Sequence, residues 1–423
     1  MSENITVSEK LGKKRIHFAA FFPFHPKKVT EETIKDLAEA GIDISMVIYS
    51  ALSPENKKNV LDWHAKHGVM AWIRDPYLRE GTPGKDYDPT KKELIEPYKN
   101  HPAFFGNVFN DEPGTAHYKG ISDYVNAYHE SFPGKIPFVN LLPFYASDEQ
   151  LTYGAAAQKI DFYDTPASGY EDYLERFTKT VDVPFICTDI YPLRCDENKK
   201  KTAYKNYVRA IEFVAREARS SGREFWCYIQ SFSSKTRPLF RVPDEKDLRW
   251  QCYSMLSFGA KTILYFVWHG PEVNDYLNTP IDAEGNKNPL WYSAKKVNSE
   301  IIALSDVYLE YDNIGAFNVN AAEDLTYLHM TYPLDGFEAI EEIKCDDPLL
   351  VGCFNKKDGT SKAVTVVNMS HREEDKTITA SVKFSSSRIT AYFGGVPQIL
   401  TPDTNGRCNI TLESGEGVFI TVE

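Results

Sequence analysis

The sequence predicts an α/β fold, a (β/α)8 TIM barrel of eight parallel strands, followed by a small all-β sandwich domain. The first three hundred residues alternate short apolar runs with helical segments, and beyond them strand-like runs alternate with turn signals. The apolar runs lack a period of two, as expected for parallel strands that are buried on both faces. With 423 residues, the chain has the length of a barrel and an appended domain.

Eight short runs rich in β-branched and aromatic residues are the predicted barrel strands. An open doubly wound sheet is the rival fold. Its Gly-rich phosphate-binding turn is missing after the first strand, where the chain has Phe22-Pro23-Phe24-His25-Pro26. We therefore favour the barrel. The eight runs are Ile16–Phe22, Ile44–Ser50, Val69–Ile73, Phe104–Phe109, Ile136–Leu142, Val183–Ile190, Phe225–Ser231 and Thr262–Trp268.

Helical patterns connect these runs, and glycines follow several of them. A left-handed glycine commonly ends a helix, so Gly41, Gly68, Gly222 and Gly259 predict four helix ends. A last long helix, Trp291–Leu309, is expected to close the barrel. The connecting helices are Thr30–Ala40, Ser53–His67, Ile121–Ser131, Glu171–Thr180, Lys201–Ser220 and Asp244–Phe258.

The pattern changes at about Asp312, and we expect the barrel domain to span residues 1–311 and the sandwich domain residues 312–423. Turn signals such as Lys357-Asp358-Gly359 and Asn405-Gly406 separate the strand-like runs of this second part. Short strands between such turns are typical of a β-sandwich. The runs are Leu325–Tyr332, Leu349–Asn355, Ala363–Asn368, Lys376–Phe384, Ile389–Phe393 and Gly417–Val422.

Charge and composition exclude several partners. The formal net charge is -12 and no basic cluster is present, which argues against nucleic acid and anionic membranes as partners. No apolar stretch is long enough to span a bilayer, and the first residues lack the features of a secretory signal. We expect either a cytoplasmic protein or a secreted one whose signal has been removed, and localisation and oligomeric state stay open. The seven cysteines, without a CxxC pair, predict free thiols.

The run Asn-Asp-Glu-Pro-Gly, from Asn110 to Gly114, is the most informative passage for chemistry. It ends an apolar run, and two adjacent acids at the end of a buried strand are costly unless they face a cleft. The C-terminal ends of the strands are where parallel barrels keep catalytic groups. A second interpretation is a strand-to-helix turn in which Asp111 caps the next helix and Pro113 begins it. The two interpretations are compatible.

Residues just past the other strands are expected to meet Glu112 at the same mouth of the barrel. Asp189 supplies a second carboxylate from the sixth strand. Aromatic faces stack on sugars, polar groups bind hydroxyls, and glycoside cleavage needs two carboxyl groups, so the set predicts a carbohydrate site. Arg74 equally fits an ion pair with Asp75. The candidate substrate-binding residues are Tyr49, Trp72, Arg74, Asn110, Asn140, Tyr191, Tyr228, Gln230, Trp268 and His269.

The sequence predicts no metal site and no cofactor. His64 and His67 share a helix, but no third residue with the spacing of a metal ligand accompanies them. The chain has no Gly-x-Ser-x-Gly elbow and no Walker loop. The expected partner is a carbohydrate substrate.

Several passages resemble the glycoside hydrolases of the large retaining (β/α)8 superfamily, clan A, and their β-galactosidase-like relatives. The fourth-strand ending Gly106–Pro113 resembles their acid/base motif, and Asp189–Pro192 resembles a run common among the relatives. The block from Arg249 to Ile301 resembles their eighth strand and closing helix, and Leu412–Phe419 is similar to the last strands of their β-sandwich. The resemblance implies hydrolysis of O-glycosidic bonds in oligosaccharides, polysaccharides or glycoconjugates.

One position departs from the pattern of this superfamily. Its nucleophile is a glutamate at the end of the seventh strand, where this chain has Gln230. In a first mechanism, Glu112 is the general acid and Asp189 the second carboxylate, acting as base or nucleophile. For that acid role, burial and the neighbouring Asp111 should raise the pKa of Glu112.

Two further hypotheses stay open. One resembles the substrate-assisted hexosaminidases, in which the Asp111-Glu112 pair hydrolyses 2-acetamido sugars. Glu112 then protonates the leaving oxygen, while Asp111 orients the acetamido group whose own oxygen attacks the anomeric carbon. The other is a non-catalytic carbohydrate-binding barrel. A polysaccharide lyase is a weaker rival.

Overall fold

The structure is a computed structural model that describes residues 7–74, 95–156, 166–270, 275–321 and 330–423. Eight parallel strands form a nearly closed barrel: β1 (His17–Ala20), β2 (Ile44–Val47), β3 (Met70–Ile73), β4 (Phe104–Asp111), β5 (Phe138–Asn140), β6 (Phe185–Asp189), β7 (Glu224–Gln230) and β8 (Thr262–Phe266). Each predicted apolar run contains or overlaps one strand. Neighbours pair in chain order, β8 pairs with β1, and a bridge between Leu141 and Thr188 links β5 to β6.

Helices connect the strands close to where the sequence predicts them. The predicted helix Lys201–Ser220 is wrong at its start, because residues Lys201–Ala203 pair with Leu193–Cys195 and the helix begins only at Tyr207. None of the described helices is long and apolar enough to cross a membrane. The helices are α1 (Val7–Leu11), α2 (Glu31–Glu39), α3 (Pro54–His67), α4 (Tyr118–Ser131), α5 (Asp148–Tyr153), α6 (Tyr170–Thr180), α7 (Tyr207–Ser220), α8 (Glu245–Leu256), α9 (Pro289–Ala303) and α10 (Ser305–Tyr308).

The four glycines that predict helix ends all have positive φ, which confirms the prediction. Gly68 ends α3 with a φ of 68°, and its N–H donates to the carbonyl of Ala65. A residue with a Cβ would cost about 1–2 kcal/mol in this conformation. The predicted closing helix Trp291–Leu309 is divided at Leu304, between α9 and α10.

Aromatic side chains fill the interior of the barrel beneath the strand ends. Phe185 on β6 stacks on Trp226 on β7, with ring centroids 4.0 Å apart and planes inclined by 9°. The Trp72 ring lies 5.5 Å from that of Trp226, and its Nε1 donates to the carbonyl of Ile136 at 2.9 Å. Close packing of such large rings resists rearrangement. Trp72, Phe185 and Trp226 therefore form a rigid apolar layer beneath the strand ends, which we call the apolar floor.

Two antiparallel sheets form the C-terminal part of the chain, as predicted. The strands are β9 (Tyr311–Val319), β10 (Ile340–Lys344), β11 (Leu349–Lys356), β12 (Lys362–Asn368), β13 (Ile378–Phe384), β14 (Ile389–Phe393), β15 (Val396–Leu400), β16 (Arg407–Leu412) and β17 (Gly417–Val422). The larger sheet has the order β9-β11-β12-β17-β14-β15 and the smaller β10-β13-β16.

Some features of this part differ from the sequence-based prediction. Of the run Leu325–Tyr332, residues 325–329 lie outside the described residues, and residues 330–332 form no strand. The sequence did not predict β9, β10, β15 and β16. Strands β10 and β15 bury few of their residues, so their apolar signal is weak. The first strand begins at Tyr311, beside the proposed domain division.

Helix α8 joins the second part of the chain to the barrel. Its buried Asp247 binds Arg241 through both carboxylate oxygens and accepts a hydrogen bond from His371 Nε2, between β12 and β13, at 2.8 Å. On the barrel side, the Gln251 side chain bonds the backbone N–H and carbonyl of Gln230 at 2.8 and 3.2 Å. The sheets thus hold α8 in place, and α8 holds the end of β7.

The Asp247→Ala variant should lose about 3–5 kcal/mol of unfolding free energy, because it removes a buried carboxylate that pairs with the half-buried Arg241 and the buried His371. Asp375→Ala is the matched control. The Asp375 carboxylate also bridges cations in this region, but its side chain is 47% exposed, so its removal should cost less than about 1 kcal/mol. Urea unfolding measures both variants, and equal losses would contradict the assignment.

Candidate active site

A cavity of about 350 Å³ opens at the C-terminal ends of the barrel strands. Carboxylates from β4 and β6 and an amide from β5 meet there. Ligand sites of barrel proteins lie at this end, where the loops after the strands converge. The described residues that line the cavity are Phe21, Asp111, Glu112, Asn140, Tyr145, Asp189, Tyr191, Tyr228, Arg237, Phe266 and Tyr276.

The backbone at the end of β4 departs from regular strand geometry. Its pairing with β5 shifts register between Val108 and Asn110. Glu112 has a φ of 56°, a left-handed conformation that costs a non-glycine residue about 1–2 kcal/mol. Two backbone bonds hold it: the Glu112 N–H donates to the Asn140 carbonyl at 2.8 Å, and the Glu112 carbonyl accepts from Ala155 at 3.0 Å. Strain of this kind is typical of functional sites.

The side chain of Asp111 caps no helix. The chain after Gly114 forms a 3-10 turn from Thr115 to His117 and then α4, and neither start has a side-chain cap. The Asp111 carboxylate instead accepts a hydrogen bond from Asn140 in the cavity. The interpretation of Asp111 as a helix cap is therefore wrong.

Asn140, the last residue of β5, bonds two carboxylates with one amide. Its Nδ2 lies 3.0 Å from Asp189 Oδ1 and 3.3 Å from Asp111 Oδ1. Because both bonds share one nitrogen, the two oxygens lie no more than 6.3 Å apart. We call Asp111, Glu112 and Asp189 the three-carboxyl cluster.

Burial favours the protonated forms of two members of this cluster, Glu112 and Asp189. Burial, followed by the charges of Asp189 and Asp111, raises the pKa of Glu112 to about 8, which confirms the sequence-based expectation. Burial also raises the pKa of Asp189 to about 7; the charge of Asp111 adds to this rise, and hydrogen bonds from Asn140 and Tyr191 oppose it. Desolvation and like charges both disfavour the ionised form. Of the two, Asp189 has hydrogen-bond donors that favour its ionised form, and these oppose the effect of burial.

Aromatic rings form much of the remaining cavity wall. Tyr191 stacks on Phe266 with ring centroids 5.2 Å apart, and Phe21 meets Tyr228 edge to face at 5.9 Å. Tyr145, with 47% of its surface exposed, lies at the rim. Flat apolar faces beside polar groups suit a ligand with both apolar and hydroxyl surfaces, such as a sugar ring.

The structure brings six of the predicted site residues into the cavity. They come from the ends of β4, β5 and β6, from the loop after β6 and from the inward face of β7. This convergence is what the barrel argument predicted. The six are Asp111, Glu112, Asn140, Asp189, Tyr191 and Tyr228.

Three predicted residues near the strand ends have side chains in other surroundings. Gln230 accepts from the backbone N–H of Leu193 at 2.9 Å and donates to the carbonyl of Phe232 at 3.1 Å. Trp72 belongs to the apolar floor. Asn110 precedes Asp111 on β4 and is not a lining residue, since successive strand residues point to opposite sides.

The remaining predicted residues do not line the cavity. Trp268 and His269 line a separate cavity of about 50 Å³. The Tyr49 hydroxyl donates to the carbonyl of Lys57 at 3.2 Å. The Arg74 guanidinium lies over the Phe21 ring, 5.4 Å from its centroid. Asp75, its suggested partner, lies outside the described residues.

The sequence argument missed five lining residues: Phe21, Tyr145, Arg237, Phe266 and Tyr276. Phe21 and Phe266 lie at the ends of the first and last barrel strands, where the argument chose residues further along the chain. Tyr145 and Arg237 lie on loops, which carry no periodic signal that points to a cavity.

One group of described residues, Asp244, Asp247 and His371, has ligand atoms close enough to share a metal ion. It lies between α8 and the sheets, away from the cavity. Arg241 binds both oxygens of Asp247, and the Lys201 ammonium lies 3.0 Å from His371 Nδ1. Two cations of the protein supply the positive charge here, so we assign the group to stabilisation of the interface.

No model of a known protein family matches the chain, and no curated protein matches it in sequence. Solved structures do match. A catalytic mutant of a GH42 β-galactosidase from G. stearothermophilus aligns with a TM-score of 0.60 at 9% identity, over 97% of this chain and 98% of that chain. A β-galactosidase from Rahnella sp. R3 aligns with a TM-score of 0.53 at 10% identity, over 96% and 98%. The chain therefore has the fold of these glycoside hydrolases, a (β/α)8 barrel followed by antiparallel sheets.

Proposed function

We propose that the protein is a glycoside hydrolase that cleaves O-glycosidic bonds, with Glu112 as general acid and Asp189 as second carboxylate. One observation carries the proposal: the three-carboxyl cluster faces an aromatic-walled cavity at the catalytic end of the barrel. Glycoside hydrolysis needs a carboxylic acid that is protonated beside a carboxylate that is not. The fold shared with glycoside hydrolases agrees with this chemistry.

Glu112 fits the acid because its raised pKa keeps it protonated at neutral pH. It would give that proton to the leaving oxygen as the glycosidic bond breaks. Asp189 fits the second role because hydrogen bonds from Asn140 and Tyr191 favour its ionised form. Asp189 would act either as a base that activates water or as a nucleophile. In both roles its negative charge would stabilise the positive charge that develops on the sugar.

The seventh strand supports placing the second carboxylate on β6. Tyr228 is the β7 residue that lines the cavity. Gln230, where the superfamily has its nucleophile, is fully buried, and its amide is bonded to backbone groups. A hydrolase built on this chain would therefore draw its carboxyl groups from β4 and β6.

A second candidate function is the substrate-assisted hydrolysis of 2-acetamido sugars. The observation that favours it is the position of Asp111, which lies in the cavity beside Glu112 and is oriented by Asn140. In this mechanism Asp111 would hold the acetamido N–H, and Tyr191 or Tyr228 its oxygen. A carbohydrate-binding barrel without catalysis is the rival from another class.

Glu112→Gln should lower kcat/KM on a disaccharide or alkyl glycoside by about 10²–10⁴-fold, because these leaving groups need a proton. The loss should be smaller on a nitrophenyl glycoside, whose leaving group is stable as an anion. Wild-type kcat/KM should fall above about pH 8, where Glu112 loses its proton, and the variant should lack this alkaline limb. Steady-state kinetics against pH measure these effects.

The matched control is Glu130→Gln, which makes the same change at an exposed position of α4 and should keep wild-type kinetics. Calorimetric titration with the substrate should show that Glu112→Gln still binds it. Unchanged turnover in Glu112→Gln would rule out its acid role, and binding by the wild type without any cleavage would favour the non-catalytic barrel.

The acetamido hypothesis makes a separate prediction about substrates. If the acetamido oxygen is the nucleophile, the enzyme should cleave aryl 2-acetamido glycosides and not their 2-hydroxy analogues, and Asp111→Asn should lower kcat by about 10-fold or more. A screen of paired aryl glycosides measures this preference. Cleavage of the 2-hydroxy sugars alone would discard substrate assistance and leave Asp189 as the second catalytic group.

A further inference from the structure

The Asn140 amide has a fixed orientation, which the two neighbouring acids determine. Its Nδ2 donates to Asp189 at 3.0 Å and to Asp111 at 3.3 Å. An ionised carboxylate can only accept, so the opposite orientation would bring the Asn140 oxygen against two negative oxygens. The side chain is 4% exposed, and buried charge-assisted hydrogen bonds of this kind are among the stronger ones.

The other end of the same amide is poorly accommodated. Asn140 Oδ1 is buried and has no hydrogen-bond donor among the described residues. A buried acceptor without a donor costs free energy, and an apolar residue of the same size would avoid that cost. The position therefore retains an unsatisfied acceptor while it supplies two N–H groups to the acids, which points to a role in the chemistry of the site.

Glu112 receives no comparable donor. No described residue donates a hydrogen bond to its carboxyl group, and burial, Asp189 and Asp111 raise its pKa. Within the described part of the chain, the two aspartates thus have donors and the glutamate has none. A donated hydrogen bond favours the ionised form of the carboxyl group that accepts it, so the Asn140 bonds favour a proton on the member that accepts none of them.

We propose that Asn140 is a positioning residue that keeps the shared proton of the three-carboxyl cluster on Glu112, by donating both amide hydrogens to Asp111 and Asp189. The inference rests on the proposed function for its catalytic meaning, since the acid must start each turnover protonated and its partner ionised. It gives Asn140 a role beyond substrate binding. The amide decides which carboxyl group is the acid.

Tyr191 also hydrogen-bonds Asp189, but among the described residues Asn140 is the group that bonds both aspartates. Burial raises the pKa of the neighbouring tyrosines and cysteines, so they stay neutral near pH 7, and the arginines keep a constant charge through that range. The groups are Tyr145, Tyr170, Tyr173, Cys187, Tyr191, Cys227, Tyr228, Tyr276, Arg74, Arg194 and Arg237.

Asn140→Leu tests the proposal, because it removes both donors and the unsatisfied acceptor while it nearly keeps the volume. The acidic limb of the kcat/KM profile should move to higher pH by about one unit or more. The pH range of activity should narrow, and peak kcat/KM should fall at least about 10-fold. A merely structural asparagine would leave both limbs in place.

Asn107→Leu is the matched control. Asn107 is a fully buried asparagine on β4, and its amide bonds Tyr128, Tyr98 and the carbonyl of Ile73 outside the cavity. This variant should lower the free energy of unfolding without shifting the acidic or the alkaline limb of the kcat/KM profile. Asn140→Ser is the second variant if Asn140→Leu does not fold, because a single short hydroxyl cannot bond both carboxylates.

A readout without substrate separates this inference from the proposed function. Carbon-13 NMR of protein labelled at the aspartate carboxyl carbons follows the titration of Asp189, assigned by its loss in Asp189→Asn. If no glycoside is cleaved but Asp189 titrates at higher pH in Asn140→Leu, the proposed function fails and the proton placement stands. If the titration and the pH profile are both unchanged in an active Asn140→Leu, the inference is overturned.

Discussion

The pair of hydrogen bonds from Asn140 to Asp111 and Asp189 is the interaction on which the proposed chemistry of this site depends. Three carboxyl groups share one partly desolvated cavity, where burial and mutual repulsion disfavour the ionised forms. The amide does distinguish between them, because it bonds two and leaves Glu112 without a donor. An acid and a base of the same chemical type thereby acquire different protonation states, as carboxyl pairs in glycoside hydrolysis require.

The rest of the fold holds the Asn140 amide and the three carboxyl groups in position. The strained conformation of Glu112 persists because the Asn140 carbonyl bonds its N–H, so the same residue fixes both the backbone and the charges. The apolar floor, which includes Trp226, packs beneath the strand ends. From outside, the sheets hold α8 through Asp247, and α8 bonds the end of β7 through Gln251. A displacement of the apolar floor or of α8 would shift the three-carboxyl cluster through backbone contacts.

The barrel was largely predictable from sequence because strands buried on both faces leave continuous apolar runs. The same reasoning located Glu112 and Asp189, since an acid at the end of such a run is costly unless it faces a cleft. It did not decide which strand-end side chains face inward. The position of Gln230 at the end of a strand predicts a cavity residue, yet backbone groups of Leu193 and Phe232 bind its amide.

Some features had no local signal in the sequence. The register shift in β4 and the left-handed Glu112 arise from pairing with β5, which is distant in sequence. Loop residues such as Tyr145 and Arg237 reach the cavity only through tertiary folding. The antiparallel strands β10 and β15 bury too little to leave a pattern. Contacts between distant segments, not local propensity, determine these parts.

The central claim is that the proton of the three-carboxyl cluster resides on Glu112 at neutral pH. Neutron diffraction from crystals exchanged into heavy water at about pH 7 locates it directly. The account predicts a deuteron on a carboxyl oxygen of Glu112, with both amide deuterons of Asn140 directed at Asp111 and Asp189. A deuteron on Asp189 or Asp111 beside an ionised Glu112 would contradict it.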